Sequence, residues 1–184
     1  MLRCQNIHPF SRYAVQAGRL YLTAFPPVER HRLSTLHWAC VRGKAEWLVF
    51  SDGGTFVGMA YMIVRGDVAF LLYLAVSDAQ RDKGYGGAIL AALRKRYPTC
   101  DLVLLIESLH EECDNRDVRI RRRAFYLRNG MIDTGILQQT FSGEANYDIL
   151  NSRPIFDRAA YTAMLAAYPF RSYLLPIETD SDGL

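Results

Sequence analysis

Apolar and polar residues recur with two different periods along the chain, and the change of period separates helices from strands. Residues 2–7 suit a short first strand, and Ser11 suits the N-cap of a following helix. The apolar positions of that helix repeat at helical spacing: Ala14, Ala17, Leu20, Tyr21 and Ala24. After Pro26-Pro27, a second helix is predicted to carry Leu33, Leu36 and Cys40 and to end near Gly43.

Strand patterns replace helical ones from Glu46 onward. Segments 46–51, 55–64 and 68–76 are rich in β-branched and aromatic residues, and glycine-containing turns separate them. These turns predict an antiparallel meander of three strands. The third segment is almost wholly apolar, which predicts burial on both faces.

A crossover unit follows the meander. The pattern predicts a helix from Ala88 to Tyr97, stopped by Pro98, and then a buried strand over 102–106. A strand reached through a helix should run parallel to the strand that ends at Val76.

The remaining elements are a helix, a hairpin and a C-terminal helix. The helix spans 117–129 and ends at Gly130, and the hairpin pairs 132–141 with 145–150 around Ser142-Gly143. An amphipathic helix lies in the extension 152–184, whose residues 178–184 should fray. Its apolar side carries Phe156, Tyr161, Met164, Leu165 and Tyr168. Together these elements predict an α/β fold, with about six to seven strands in a mixed sheet and helices on both faces.

Composition narrows the class of protein without naming a function. The chain has 184 residues, of which 50% are hydrophobic and 22% charged, so a single domain over 1–184 is expected. The net charge of +3 is too small to argue for nucleic acid. The four cysteines are scattered, which argues against a disulfide framework or a zinc site and favours a reducing cytoplasm: Cys4, Cys40, Cys100 and Cys113. Neither a signal peptide nor a membrane-spanning run is recognised, so we expect a cytoplasmic protein without a metal or a membrane partner.

A glycine-rich turn joins the third strand to the crossover helix. Backbone amides of residues 83–87 can point into one concavity, where the helix N-terminus adds its unpaired amides and positive dipole end. Arg81 and Lys83 add charge, so the turn is a candidate site for an anion such as a pyrophosphate. It lacks the Gly-Lys-Ser/Thr of a Walker A loop and the third glycine of a dinucleotide fingerprint.

Two segments resemble the GNAT acetyltransferases. Arg81-x-x-Gly84-x-Gly86 resembles that family's Q/R-x-x-G-x-G/A motif, and residues 125–131 are similar to its F-Y-x-x-x-G-F segment with Met131 at the last place. The resemblance implies a GNAT fold that uses acetyl-CoA as the acyl donor. It also implies a cofactor-binding set in which the turn holds the pyrophosphate, strand amides approach the thioester carbonyl, and an arginine stands where relatives often have asparagine. That set is Leu74, Ala75, Val76, Arg81, Asp82, Lys83, Gly84, Tyr85, Gly86, Gly87 and Arg119.

Acetyl transfer to an amine needs a neutral nucleophile and an acid for the leaving thiolate. A primary amine is only about a thousandth neutral at pH 7, which costs roughly 4 kcal/mol, so a general base or a site that lowers the pKa of the amine must help. By resemblance, Tyr126 protonates the thiolate. The strand over 68–76 contains no acid, although many relatives carry a glutamate there. Glu107 is the nearest candidate base by architecture, and a chain of waters is the alternative.

The acceptor is left open between several classes. An acidic stretch follows Glu107 and favours a small-molecule amine: Glu111, Glu112, Asp114 and Asp117. A basic cluster on the next helix keeps open an acetyltransferase for protein N-termini, lysines or RNA-associated substrates, although nucleic acid itself is not expected: Arg116, Arg119, Arg121, Arg122 and Arg123. His110 and Cys113 lack further ligands at metal spacing. A non-catalytic acyl-CoA sensor is a further alternative, and the C-terminal helix suits a sheet edge or a homodimer.

Overall fold

A computed structural model describes residues 1–8, 11–109, 114–139 and 146–167. Within this part of the chain there are seven strands and five helices. The strands are β1 (Arg3–Asn6), β2 (Glu46–Asp52), β3 (Thr55–Arg65), β4 (Val68–Val76), β5 (Asp101–Glu107), β6 (Ile132–Gln139) and β7 (Asn146–Asn151). The helices are α1 (Arg12–Ala24), α2 (Leu33–Val41), α3 (Tyr85–Arg96), α4 (Arg116–Arg128) and α5 (Arg158–Ala166).

The strands form one mixed sheet in the order β1-β2-β3-β4-β5-β7-β6. Strand β2 runs antiparallel to both β1 and β3, and β7 runs antiparallel to both β5 and β6. One pair of the sheet is parallel, which confirms the predicted mixed α/β class. The closing hairpin is also confirmed, and its second strand lies between β5 and β6, with Val103 opposite Asn151. The predicted turn of this hairpin, around Ser142-Gly143, lies outside the described residues.

The chain packs as two compact units, and β4 contributes residues to each. The first unit comprises Met1–Val64 and Leu71–Pro98, and the second comprises Arg65–Phe70 and Thr99–Leu184. One domain over 1–184 stays a prediction.

The core of the first unit is rich in aromatic side chains. Tyr21 of α1 meets the edge of Trp47 of β2 at a ring-centroid distance of 5.9 Å and that of Tyr73 of β4 at 5.0 Å. Such edge-to-face pairs contribute about 0.5–1.5 kcal/mol beyond the burial of apolar area. The predicted N-cap of α1 is confirmed at Ser11, but its side chain makes no capping hydrogen bond.

Strand β4 is buried differently along its length. Val68 to Leu71 are fully buried, as the apolar run predicts, whereas Leu72, Leu74 and Val76 are only half-buried. Side chains alternate across a strand, so these three share one face of β4. That face is therefore partly open at the end of the strand that leads into the glycine turn.

The core of the second unit joins β5, β7 and α5. Val103, Ile149 and Leu150 are fully buried, and Tyr161 of α5 packs against Phe70 with ring centroids 5.9 Å apart. Asp157 caps α5 by accepting a hydrogen bond from the amide of Ala160 at 2.8 Å. The predicted amphipathic C-terminal helix is thus present, and it is shorter than the range of its predicted apolar positions. Tyr168 and residues 178–184 lie outside the described residues. None of the helices in the described ranges is long and apolar enough to cross a membrane.

Candidate functional site

The glycine turn adopts left-handed backbone conformations where the sequence predicts a concavity. After β4, residues Asp78–Gln80 form one turn of 3-10 helix. Asp82 then has φ of +60° and Gly84 has φ of +76°, and α3 begins at Tyr85. Asp tolerates the left-handed region better than most side chains, and glycine enters it freely.

Four consecutive backbone N–H groups at the start of α3 are available to a ligand. Among the described residues, the amides of Gly84, Tyr85, Gly86 and Gly87 donate to no backbone or side-chain acceptor, whereas the amide of Ala88 donates to the Gly84 carbonyl at 3.2 Å. The first turn of any helix leaves such donors, and the helix dipole makes this end positive. The geometry suits an anion with several acceptor oxygens.

The two basic side chains of the turn fold back on the preceding 3-10 turn. Arg81 forms an ion pair with Asp78 at 2.7 Å, and the Lys83 Nζ donates to the Ala79 carbonyl at 2.8 Å. Both head groups are exposed, and exposed ion pairs contribute only about 0–1 kcal/mol. A bound anion can therefore recruit either cation.

Tyr85 anchors the turn to the first hairpin. Its hydroxyl donates to the Oδ2 of Asp52, at the end of β2, at 3.1 Å. This hydrogen bond raises the pKa of Tyr85, and the chain's N-terminal ammonium and Tyr85 together lower the pKa of Asp52. Tyr85 is one of the predicted cofactor residues, and the sequence did not indicate its hydrogen bond with Asp52.

Backbone crowding surrounds the end of β4. A Cβ added to Gly58 of β3 would lie 2.4 Å from the carbonyl oxygen of Ala75. The amide of Ser77 donates to the Val57 carbonyl at 2.9 Å, so β3 stays close to the chain as it leaves β4. The segment Leu74–Val76, predicted to face the thioester, is therefore held tightly on its β3 side.

Tyr126 lies on α4, in the second unit, and is half-buried. Its ring packs against Phe125 with centroids 5.1 Å apart. Within the described residues its hydroxyl makes no hydrogen bond. Burial raises the pKa of Tyr126 to about 12, although Arg122 opposes the shift, so the phenol keeps its proton at neutral pH.

Glu107 is held by the basic cluster. Arg122 pairs directly with its carboxylate, Arg119 lies 3.6 Å away, and Asn115 donates to it at 3.3 Å. Arg119 also donates to the Ser108 carbonyl at 2.7 Å. The structure therefore brings Glu107 and Arg119 together, and each is engaged by protein groups.

The rest of the basic cluster shows contacts that the sequence did not predict. Arg116 donates to the Leu109 carbonyl at 2.8 Å, and Arg123 pairs with Asp133 of β6 and with the buried Asp148 of β7. In the sequence these arginines are recognisable only as charged residues at helical spacing. That spacing does not reveal which residues they contact.

Metal-ligating side chains do not converge. Across the ranges that the structure describes, no three His, Cys, Asp or Glu side chains are arranged to hold a metal ion. Cys4, Cys40 and Cys100 are free thiols. His110, Glu111, Glu112 and Cys113 lie outside the described residues.

Part of the sequence matches a known protein family. Residues 15–131, more than half of the chain, match the sequence model described as the Acetyltransferase (GNAT) family. This range includes both the glycine turn and the segment around Tyr126. No protein of curated function matches the sequence significantly.

Solved structures share the fold at low sequence identity. A GNAT-family protein from Bacteroides thetaiotaomicron superposes with a TM-score of 0.72 at 21% identity, covering 88% of this chain and 93% of that one. An aminoglycoside 6′-N-acetyltransferase in complex with coenzyme A gives 0.63 at 15%, covering 84% and 99%. The ribosomal-protein-S18-alanine N-acetyltransferase from Escherichia coli gives 0.57 at 18%, covering 82% and 92%.

Proposed function

We propose, since the chain belongs to the acetyltransferase (GNAT) family, that it moves an acetyl group from acetyl-CoA to a primary amine of a small molecule by direct attack. The row of four unpaired amides at the start of α3 carries the donor half of this proposal. Solved structures of similar fold that contain coenzyme A or acetyl-CoA support the same donor.

The glycine turn would hold the pyrophosphate of the donor. Amides from Gly84 to Gly87 would donate to its oxygens, and Arg81 and Lys83 would exchange their present partners for its charge. Asp82 and Tyr85 would act through the shape of the turn, since the first has a left-handed backbone and the second is fastened to Asp52. Amides of Leu74–Val76 would approach the thioester carbonyl.

Tyr126 would supply the proton that the leaving group needs. The amine nitrogen attacks the thioester carbon, the C–N bond forms, and the C–S bond breaks to release a thiolate, which takes the proton of Tyr126. The acetylated nitrogen loses one proton to water or to a base, and the Tyr126 phenolate regains one from water. The phenol of Tyr126 keeps its proton at neutral pH and has no hydrogen-bond partner among the described residues, so this proton is available when the thiolate forms.

Glu107 is a less suitable base than its position on β5 indicates. To accept a proton it would lose its attraction to Arg119 and Arg122. We therefore assign Glu107 and Arg119 to holding α4, and the assignment of Glu107 as base stays a prediction. A Glu107→Gln variant tests this assignment. If Glu107 is the base, kcat falls and its pH profile changes. If Glu107 holds α4, the free energy of unfolding falls and the pH profile of kcat is unchanged.

The contacts of the arginines support a small amine as acceptor over an acidic or RNA-associated partner. Four of the five arginines of the cluster already contact protein acceptors, so little of the cluster is left to attract an acidic or RNA-associated partner. Asp114 and Asp117 are exposed and suit a cationic amine. Two of the structural neighbours are an aminoglycoside N-acetyltransferase and a ribosomal-protein alanine N-acetyltransferase, so a protein N-terminus is the second candidate.

Release of free thiol from acetyl-CoA over a panel of acceptors tests the proposal. The panel contains benzylamine, spermidine, an aminoglycoside, an alanyl peptide and a lysyl peptide. We expect turnover with a small amine to exceed turnover with either peptide. Turnover with peptides alone would move the assignment to a protein acetyltransferase.

Thermal unfolding with acetyl-CoA separates catalysis from binding alone. A ligand present at 100 times its Kd stabilises the folded state by about 2.7 kcal/mol. Stabilisation without turnover on any acceptor would favour an acyl-CoA sensor. The absence of both stabilisation and turnover would contradict the donor assignment.

A further inference from the structure

An acid outside both sequence motifs contacts the first residue of α3. Asp52 ends β2, and its Oδ2 accepts a hydrogen bond from the Tyr85 hydroxyl at 3.1 Å. Tyr85 begins α3 and lies inside the row of four unpaired amides. The two residues are 33 positions apart in the chain, and both belong to the first unit. This contact therefore links the first hairpin to the candidate anion site.

Tyr85 has the only side chain in that row. The other three amides belong to Gly84, Gly86 and Gly87, which carry no side chain. Glycine restrains the backbone less than any other residue does, so the first turn of α3 is free to change direction. Within the described part of the chain, the hydrogen bond to Asp52 is the side-chain contact that restrains this row. The direction of the four N–H groups therefore depends on where Asp52 lies.

The hairpin itself fixes the backbone of Asp52. Asp52 lies opposite Thr55 in the ladder of β2 and β3, and only Gly53 and Gly54 lie between them. These two glycines have φ of +54° and +79°. Positive φ at both central residues is typical of the tight two-residue turn that matches the twist of a hairpin. The turn therefore closes the ladder directly at Asp52.

Helix α1 fastens the same turn through the Gly54 carbonyl. This oxygen accepts hydrogen bonds from the Arg12 guanidinium at 2.9 Å and from the Tyr13 hydroxyl at 3.0 Å. The Tyr13 ring is buried and stacks on Phe56 of β3, with ring centroids 6.2 Å apart. Because the turn is attached to α1 at two points, Asp52 is a fixed support for Tyr85.

The negative charge of Asp52 is balanced by a nearby cation. Its Oδ1 lies 2.7 Å from the N-terminal ammonium of Met1. The ammonium and the Tyr85 hydroxyl lower the pKa of Asp52, so the carboxyl group is ionised at neutral pH. Hydrogen bonds to an ionised acceptor are stronger than those between neutral groups. Asp52 therefore holds Tyr85 without presenting an unpaired negative charge to a pyrophosphate.

We infer that Asp52 is a positioning residue for the acetyl donor, because through Tyr85 it sets the direction of the amides that bind the pyrophosphate. This role rests on the proposed function, since it requires acetyl-CoA to occupy the glycine turn. Amides that already point toward one place lose less freedom when the anion binds, so the affinity for the donor rises. Asp52 acts here through Tyr85 and is not itself a ligand of the pyrophosphate.

Three variants separate this role from a general loss of structure. Tyr85→Phe removes the donor hydroxyl, Asp52→Ala removes the acceptor, and Asp52→Asn removes the charge but keeps an oxygen that accepts from Tyr85. We expect Tyr85→Phe and Asp52→Ala each to raise the Kd of acetyl-CoA by about 3–10-fold, with kcat at saturating acetyl-CoA unchanged. The double variant should be no weaker than either single variant, because both changes remove one interaction. Asp52→Asn should return the Kd to within about twofold of the wild type.

Tyr13→Phe is the matched control, because it removes another tyrosine hydroxyl that contacts the same turn. Arg12 still donates to the Gly54 carbonyl in this variant, so the Kd of acetyl-CoA should equal that of the wild type. An equal rise of Kd in Tyr13→Phe and Tyr85→Phe would show that the hairpin has a structural role only, and it would overturn the inference. A wild-type Kd in both Tyr85→Phe and Asp52→Ala would also overturn it.

A donor without a pyrophosphate tests the same role in catalysis. S-acetylpantetheine keeps the thioester and lacks the pyrophosphate. With the fastest amine of the panel above, Tyr85→Phe should lower kcat/KM for acetyl-CoA and leave kcat/KM for S-acetylpantetheine unchanged. An equal loss with both donors would contradict positioning through the pyrophosphate. Failure of the wild type to bind acetyl-CoA would instead contradict the proposed function, on which the inference depends.

Discussion

At the scale of single residues, Gly58 controls how closely β3 approaches the end of β4. In Gly58→Ala the new Cβ would meet the Ala75 carbonyl at 2.4 Å, so backbone must move. We expect the free energy of unfolding to fall by about 1–3 kcal/mol and the Kd of acetyl-CoA to rise. Gly18→Ala is the matched control, because there is open space around Gly18 in α1. The free energy of unfolding of this variant should rise by about 0.5–1 kcal/mol. Equal stability of the two variants in urea unfolding would contradict this account.

Gly84 tests whether the left-handed turn serves a ligand. In Gly84→Ala the φ of +76° is strained, which costs roughly 1–2 kcal/mol. Gly66→Ala, in the β3–β4 turn at φ of +54°, carries a similar strain away from the glycine turn. Both variants should lose comparable stability, but only Gly84→Ala should bind acetyl-CoA more weakly in a calorimetric titration. Equal affinities would show that the turn is not the anion site.

At the scale of elements, α4 is held by charge rather than by apolar burial. Within this helix no residue is fully buried, and Val118, Ile120 and Leu127 are each more than 40% exposed. Its arginines instead reach Glu107 on β5, Asp133 on β6 and Asp148 on β7. The position of Tyr126 is therefore set mainly by ion pairs and backbone hydrogen bonds.

Removal of one arginine tests this attachment. Arg123→Gln leaves Asp148, whose side chain is 7% exposed, without its charged partner. We expect the free energy of unfolding to fall by about 3 kcal/mol, since breaking a largely buried pair is strongly destabilising. Arg121→Gln, on the exposed side of the same helix, should match the wild type in urea unfolding. A loss in both variants, or in neither, would contradict the assignment.

At the scale of the whole molecule, local patterns predict elements better than they predict partners. The meander, the crossover helix and the glycine turn follow from periodicity and turn residues, since these are local properties. The position of β7 between β5 and β6 does not, because a hairpin can join a sheet through either of its strands. Likewise, the charge of Glu107 is visible in the sequence, but its arginine partners are known only once the chain is folded.

Local patterns likewise predict only a part of the candidate site. Gly84, Gly86 and Tyr126 lie in short motifs, so the sequence predicts the donor half. Tyr85 lies in the same motif, but its hydrogen bond to Asp52 joins residues that are far apart in the chain. Contacts of this kind are beyond reach of the sequence alone.

Turnover of Tyr126→Phe tests the central claim most directly. The phenol carries the proton for the thiolate, so its removal should lower kcat by about 10²-fold or more and leave the Kd of acetyl-CoA within about twofold. Tyr97→Phe, which changes another half-buried tyrosine at the end of α3, should behave as the wild type. Wild-type turnover in Tyr126→Phe would contradict acetyl transfer through this hydroxyl.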